Sequence, residues 1–160
     1  MKTEELRQYI LTGGLDEKLT FLYGMDRLDS QRQRYLSVLK KCEELYGDAE
    51  VYLFSAPGRT EVGGNHTDHQ LGCVFAASLS LDAVAAVVKN ENGIISYHAD
   101  GFHVSDVDTD DIGIHMEEKN MTESLIRGTV AGFRKNGYET GGFSCYADSE
   151  VLPGSGMSSS

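Results

Sequence analysis

The chain has 160 residues, of which 40% are hydrophobic, and a formal net charge of −11. That apolar share supports one packed domain and excludes a chain that stays disordered along its length. The acidic balance excludes a nucleic-acid surface, which needs basic stripes, but a small anion can still be held by local N–H groups and one or two cations. No apolar run approaches a membrane span, and the opening MKTEELRQYILTGG lacks the basic-then-apolar order of a signal peptide. Cys42, Cys73 and Cys145 are far apart and odd in number, so neither a zinc site nor a disulfide framework is indicated, and a reducing cytoplasm is the natural compartment.

In chain order, Glu4–Tyr46 reads as helical. Gly13-Gly14 breaks the first helix, and Asp29–Tyr46 is the stronger one, with Asp29 or Ser30 as its cap and Gly47 as its end. Glu50–Ser55 reads as a strand closed by Ala56-Pro57-Gly58, and a polar, glycine-bearing loop is expected from Gly58 to Gly72. Val74–Lys89 reads as one or two buried strands. The turn Asn90-Glu91-Asn92-Gly93 is expected to fold it into a hairpin with Ile94–Ala99. His103–Val107 is a further expected strand, followed by an acidic loop with Asp106, Asp108, Asp110 and Asp111. A helix is expected from Thr122 to Asn136 with Leu125, Ile126, Thr129, Val130 and Phe133 on one face, and a last strand from Phe143 to Asp148. Mixed, mainly antiparallel strands with helices packed on one side make an α+β domain.

Two stretches carry chemistry. The first is APGRTEVGGNHTDH, Ala56–His69. Asp68 can accept two hydroxyl hydrogen bonds from one diol, Asn65 and His66 can each donate or accept, and Arg59 presents a cationic fork suited to phosphate oxygens. His66, Asp68 and His69 also suit zinc or iron, but no helix aligns them and no fourth ligand is evident. A solvated polar loop is the plain alternative. His98, His103 and His115 carry no partner pattern and receive no role.

The second stretch is LPGSGMSSS, ending the chain at Ser160. Its glycines let successive N–H groups point at one anion, and Ser158, Ser159 and Ser160 add hydroxyl donors and an N-cap for a helix that would begin there. No Gly-Lys-Ser/Thr follows, so it is not a Walker loop. Gly-Ser runs are more often linkers, but this one follows an apolar strand, is short, and contains Pro153 and Met157.

Together, in this order and at this separation, the two stretches resemble the GHMP small-molecule kinases, and galactokinases most closely. The resemblance implies the ribosomal-protein-like N-terminal domain fold of that superfamily. It also implies transfer of the γ-phosphate of Mg·ATP to the anomeric hydroxyl of galactose or a related sugar. Arg59 would stabilise the transferred phosphoryl. Asn65, His66, Thr67 and Asp68 would bind the sugar. Gly154, Ser155, Gly156, Met157, Ser158, Ser159 and Ser160 would wrap the ATP phosphates, with Ser160 on Mg²⁺. Nucleic acid and membrane are not expected partners.

Four positions depart from the family pattern: Glu61 stands for an asparagine, Gly63 for an isoleucine, Asn65 for a glutamate and His69 for a tyrosine. Asn65 can donate as well as accept, so the hydroxyl read there can differ. A kinase for another sugar or small alcohol, or a catalytically silent sugar- and ATP-binding regulator, are the alternatives. Residues 1–160 are expected to be an N-terminal substrate- and phosphate-binding domain cut at the phosphate loop, without a C-terminal domain. The family's catalytic aspartate and second Mg²⁺ ligand would lie beyond it, so the 160 residues alone are expected not to turn over and to self-associate through an uncovered sheet face.

Overall fold

A computed structural model of the chain describes residues 1–64 and 71–151. Helices α1 (Thr3–Leu11), α2 (Asp16–Tyr23) and α3 (Leu28–Tyr46) come first. The Gly13-Gly14 turn separates α1 from α2, and Gly47 ends α3, both as the sequence predicts. Neither expected cap of α3 is used. Met25–Arg27 already winds as a 3₁₀ turn that feeds the helix, and Ser30 Oγ instead donates to the Arg27 carbonyl at 2.9 Å.

Five strands follow: β1 (Val51–Gly63), β2 (Phe75–Lys89), β3 (Ile94–Ala99), β4 (Val107–Asp108) and β5 (Phe143–Ser149), with helix α4 (Thr122–Lys135) between the last two. They form one sheet in the order β1-β2-β5-β3-β4, antiparallel except for the β3–β5 pair. The fold is therefore the expected mixed, mainly antiparallel α+β type. Among the described residues, no helix is long and apolar enough to cross a membrane.

Three local expectations are corrected. β1 does not close at Ala56-Pro57-Gly58 but continues to Gly63, so much of the expected loop is strand. Proline is tolerated there because β1 is an edge strand and its pairing is irregular at that point. β2 and β3 do not form a hairpin, because β5 lies between them. The turn itself holds, with Ile94 N donating to Asn92 Oδ1 at 3.0 Å. Asn90 Nδ2 then donates to the Ile94 carbonyl at 2.9 Å and to Ser144 Oγ at 3.3 Å, tying the turn to β5. Gly142 permits this approach, since a Cβ there would lie 2.1 Å from Asn90 Oδ1 and 2.6 Å from Ile94 N. Finally, the expected strand His103–Val107 shrinks to Val107–Asp108, because Ser105 N donates to Glu123 Oε1 of α4 at 2.7 Å rather than to a neighbouring strand.

Strand alternation assigns the layers. Val84 and Ala86 of β2 and Tyr146 of β5 face α1–α3 and join Leu6, Ile10, Leu19, Val38 and Leu39 in the main core. Phe143 and Ile95 point to the reverse face, where Val107, Ile126 and Val130 meet them. So the helices are not all packed on one side as expected: α1–α3 lie on one face, and α4 covers part of the other, because Ile95 and Phe143 give that face an apolar patch of its own. Only two of the five residues expected on the inner face of α4, Ile126 and Val130, reach that core. Leu125 and Phe133 stay exposed along an open groove. Over β1, the reverse face is uncovered, with Tyr52 and Phe54 at 49% and 58% exposure.

Candidate active site

Arg59 is the one expected site residue among those described; Asn65, His66, Thr67, Asp68 and Gly154 through Ser160 lie outside them. The described residues show where the chain enters each of the two stretches. β5 pairs with β2 only from Ala83 to Lys89, while β1 pairs with β2 all the way to Phe75. The segments Arg59–Gly63 and Phe75–Ser78 therefore form a two-stranded ribbon that runs past the end of β5, with Arg59 exposed opposite Ser78. Gly64 stands at the neck of the tip with φ +116, and a Cβ there would meet the Cys73 carbonyl at 2.7 Å, so only glycine fits.

The second stretch enters at the same end of the sheet. Pro57 sits opposite Asp82, and the next residue, Ala83, sits opposite Ser149. The roots of the two stretches are thus separated by one strand, roughly 10 Å across two sheet spacings. Pairing steps from Pro57↔Asp82 to Arg59↔Ser78, so Leu79–Leu81 bulge out of β2 opposite Gly58. Such a bulge bends the pair and re-aims the strand that carries Arg59.

Beneath this junction lies a polar network. Asp82 is 2% exposed. Its Oδ2 accepts from Tyr23 Oη at 2.6 Å and from Ser55 Oγ, and its Oδ1 accepts from Arg34 Nη1 at 2.7 Å. Its carbonyl accepts from Arg34 Nη2 and from Glu150 N, both at 2.9 Å. Burial, with Asp82 beside it, raises the Tyr23 phenol well above its ordinary range, so Tyr23 is a donor at all working pH. The sequence reading missed this network, although a signal was there: Asp82 is the only charged residue between Val74 and Val88, and a charge in a buried strand demands partners.

On the reverse face, a cleft of about 340 Å³ lies against the end of β5, lined by Tyr97, Phe102, Val104, Leu125, Ala147 and Val151. It is mostly apolar, and its lining includes Val151, the residue from which the chain continues towards Pro153. Among the described residues, no group of three or more His, Cys, Asp or Glu could hold a metal ion. The reading of His66, Asp68 and His69 as metal ligands falls outside those residues.

Residues 40–89 match the galactokinase galactose-binding signature. The chain is 32% identical over 130 residues to the galactokinase of Streptomyces coelicolor, an alignment covering 78% of this chain and 32% of that protein. It is 30% identical over 121 residues to the galactokinase of Bacillus subtilis, covering 72% and 30%. The crystal structure of Lactococcus lactis galactokinase complexed with galactose superposes with a TM-score of 0.69 at 30% identity, covering 79% of this chain and 34% of that one. The chain spans about a third of the length of these relatives. In its signature, its sequence and its fold, the chain is similar to about a third of a galactokinase.

Proposed function

We propose that this chain is the N-terminal, sugar- and phosphate-binding part of an ATP-dependent galactose kinase. The observation that supports this is that Pro57 of the first stretch and Ser149, which leads towards the second, flank β2 at one end of the sheet, in a chain bearing the galactose-binding signature. In this reading Asn65, His66, Thr67 and Asp68 hold the sugar and Gly154–Ser160 hold the ATP phosphates. Arg59, on the ribbon between them, meets the phosphoryl group as it moves to the anomeric hydroxyl. Such transfer depends on positioning and charge stabilisation, and Arg59 supplies a guanidinium fork suited to phosphate oxygens.

The apolar cleft at Val151 suits the flat face of the nucleotide base, because it adjoins the segment assigned to the phosphates. The donor chemistry of the terminal loop fits Mg²⁺. That ion keeps several waters and takes one or two protein oxygens plus phosphate oxygens, and the Ser160 hydroxyl is one hard oxygen next to the phosphate segment. When bound, it would neutralise phosphate charge. Cys42, Cys73 and Cys145 are thiols, which supports a reducing cytoplasm as the working compartment.

The test is turnover by the full-length protein carrying this chain, on a panel of hexoses with Mg·ATP. Galactose is expected to have the highest kcat/KM. Arg59→Ala is expected to lower kcat by about 10²–10³-fold while leaving galactose affinity little changed, since it removes charge stabilisation in the transition state. A preference for another sugar would instead favour the reading that Asn65 motivates. Tight binding with no turnover would mark a regulator.

A further inference from the structure

Arg27 touches both halves of the junction. Its Nη1 donates to the Ser80 carbonyl at 3.2 Å, inside the β2 bulge opposite Gly58, and its Nη2 donates to both carboxylate oxygens of Glu150 at 2.7 Å. Glu150 is held further by Gln31 Nε2 at 3.0 Å, and its N–H donates to the Asp82 carbonyl at 2.9 Å. Below it, Arg34 joins Asp82 on β2 to Asp148 on β5, and Ser55, two residues before Pro57, joins β1 to the same Asp82 carboxylate. One arginine thus spans from the bend that aims Arg59 to the residue that leads into 152–160, and a second, buried pair fixes the strands beneath it.

We propose that Arg27 and Glu150, seated on the Asp82–Arg34 pair, are positioning residues: a clamp that holds the Arg59 ribbon and the entry to the terminal loop in one fixed relation. The inference rests on the reading that these segments serve the phosphoryl group and the nucleotide. Stability alone is a weak reason for such a network, because well-packed apolar residues replace buried ion pairs without loss in many proteins. Geometry is the stronger reason. Charge-assisted, forked contacts of arginine are directional, and in a reaction that depends on alignment a misplacement of about 1 Å costs about 100-fold in rate. The matched signature at 40–89 contains Ser55, Ser80 and Asp82 but not Arg27, Gln31, Arg34 or Glu150. The clamp therefore joins the signature to elements outside it.

The test uses the full-length protein with Arg27→Ala and Arg27→Lys. The Arg27 side chain is 27% exposed, so both variants should fold. Arg27→Ala is expected to lower kcat by about ten- to a hundred-fold with the KM for each substrate within about two-fold of the parent. Lysine should recover only part of the loss, because one ammonium cannot span both partners. Hydrogen exchange read on peptides covering 56–60 and 149–151 should speed up in both together in Arg27→Ala. A kcat within about two-fold of the parent, or faster exchange in one segment only, would overturn the clamp. If the parent itself shows no turnover on any sugar, the kinase reading fails. The exchange measurement then still decides whether Arg27 couples the two segments.

Discussion

The two faces of the sheet are held by different forces. Under α1–α3, a large apolar core from α1 to β5 is crowned at one end by buried charges that all bear on Asp82. Under α4, the core is small, centred on Ile95, Val107 and Val130. There the segment 109–121 is fastened by Arg127, which donates from Nε and Nη2 to Glu118 at 3.0 and 2.6 Å and to the Asp111 carbonyl. The larger core stabilises enough to tolerate charges within it, and those charges sit where geometry matters to the site. The smaller core also carries buried charges, Glu123 and Arg127, but these bind connecting segments and not the strands of the sheet.

The largest effect should come from breaking the first arrangement. Asp82→Ala removes the buried carboxylate shared by Tyr23, Ser55 and Arg34 and should destabilise the full-length protein by about 3–5 kcal/mol in urea unfolding. On the other face, Arg127→Ala should act locally, with on the order of ten-fold faster amide exchange across 109–121 and little change in β1 or β2. If the two variants unfolded the protein equally, the contrast between the faces would be lost. The smallest effect sharpens the contrast through pH. Its hydrogen bond to Asp111 raises the pKa of His115 above the ordinary 6.5, helped by Glu117 and opposed by burial and by Arg127. A raised value means that the stabilisation is full below the ordinary pKa and fades as pH rises through the folded one. The melting difference between the parent and His115→Asn should therefore be greatest near pH 6 and vanish in alkaline buffer.

Helices were legible because their signals are local. The spacing of Tyr35, Leu36 and Leu39 marks α3, and that of Ile126 and Val130 marks α4. Strand partners were not legible, because Asn90–Gly93 announces a turn but cannot say that β5, fifty residues on, will take the place beside β2. The inner face of α4 was misread for a related reason: Leu125 and Phe133 share its periodicity, but they border open grooves over β3 and β5 instead of closing onto the strands. Arg59 was singled out from the pattern of its stretch, while Arg27 and Glu150 carry no sequence pattern and become a pair only across the fold.

The strand order also sets the sequence of events during synthesis. β5 is the central strand, and its partners are made well before it: Val84 meets Asp148, and Ile95 meets Phe143. At about 5–20 residues per second, the facing edges of β2 and β3 wait seconds for β5 to leave the ribosome. An open apolar edge is an invitation to pair with another nascent chain. Asp82, the lone charge in the run from Val74 to Val88, stands at the end of that edge, one residue before the pairing with β5 begins at Ala83, where a charge works against such pairing.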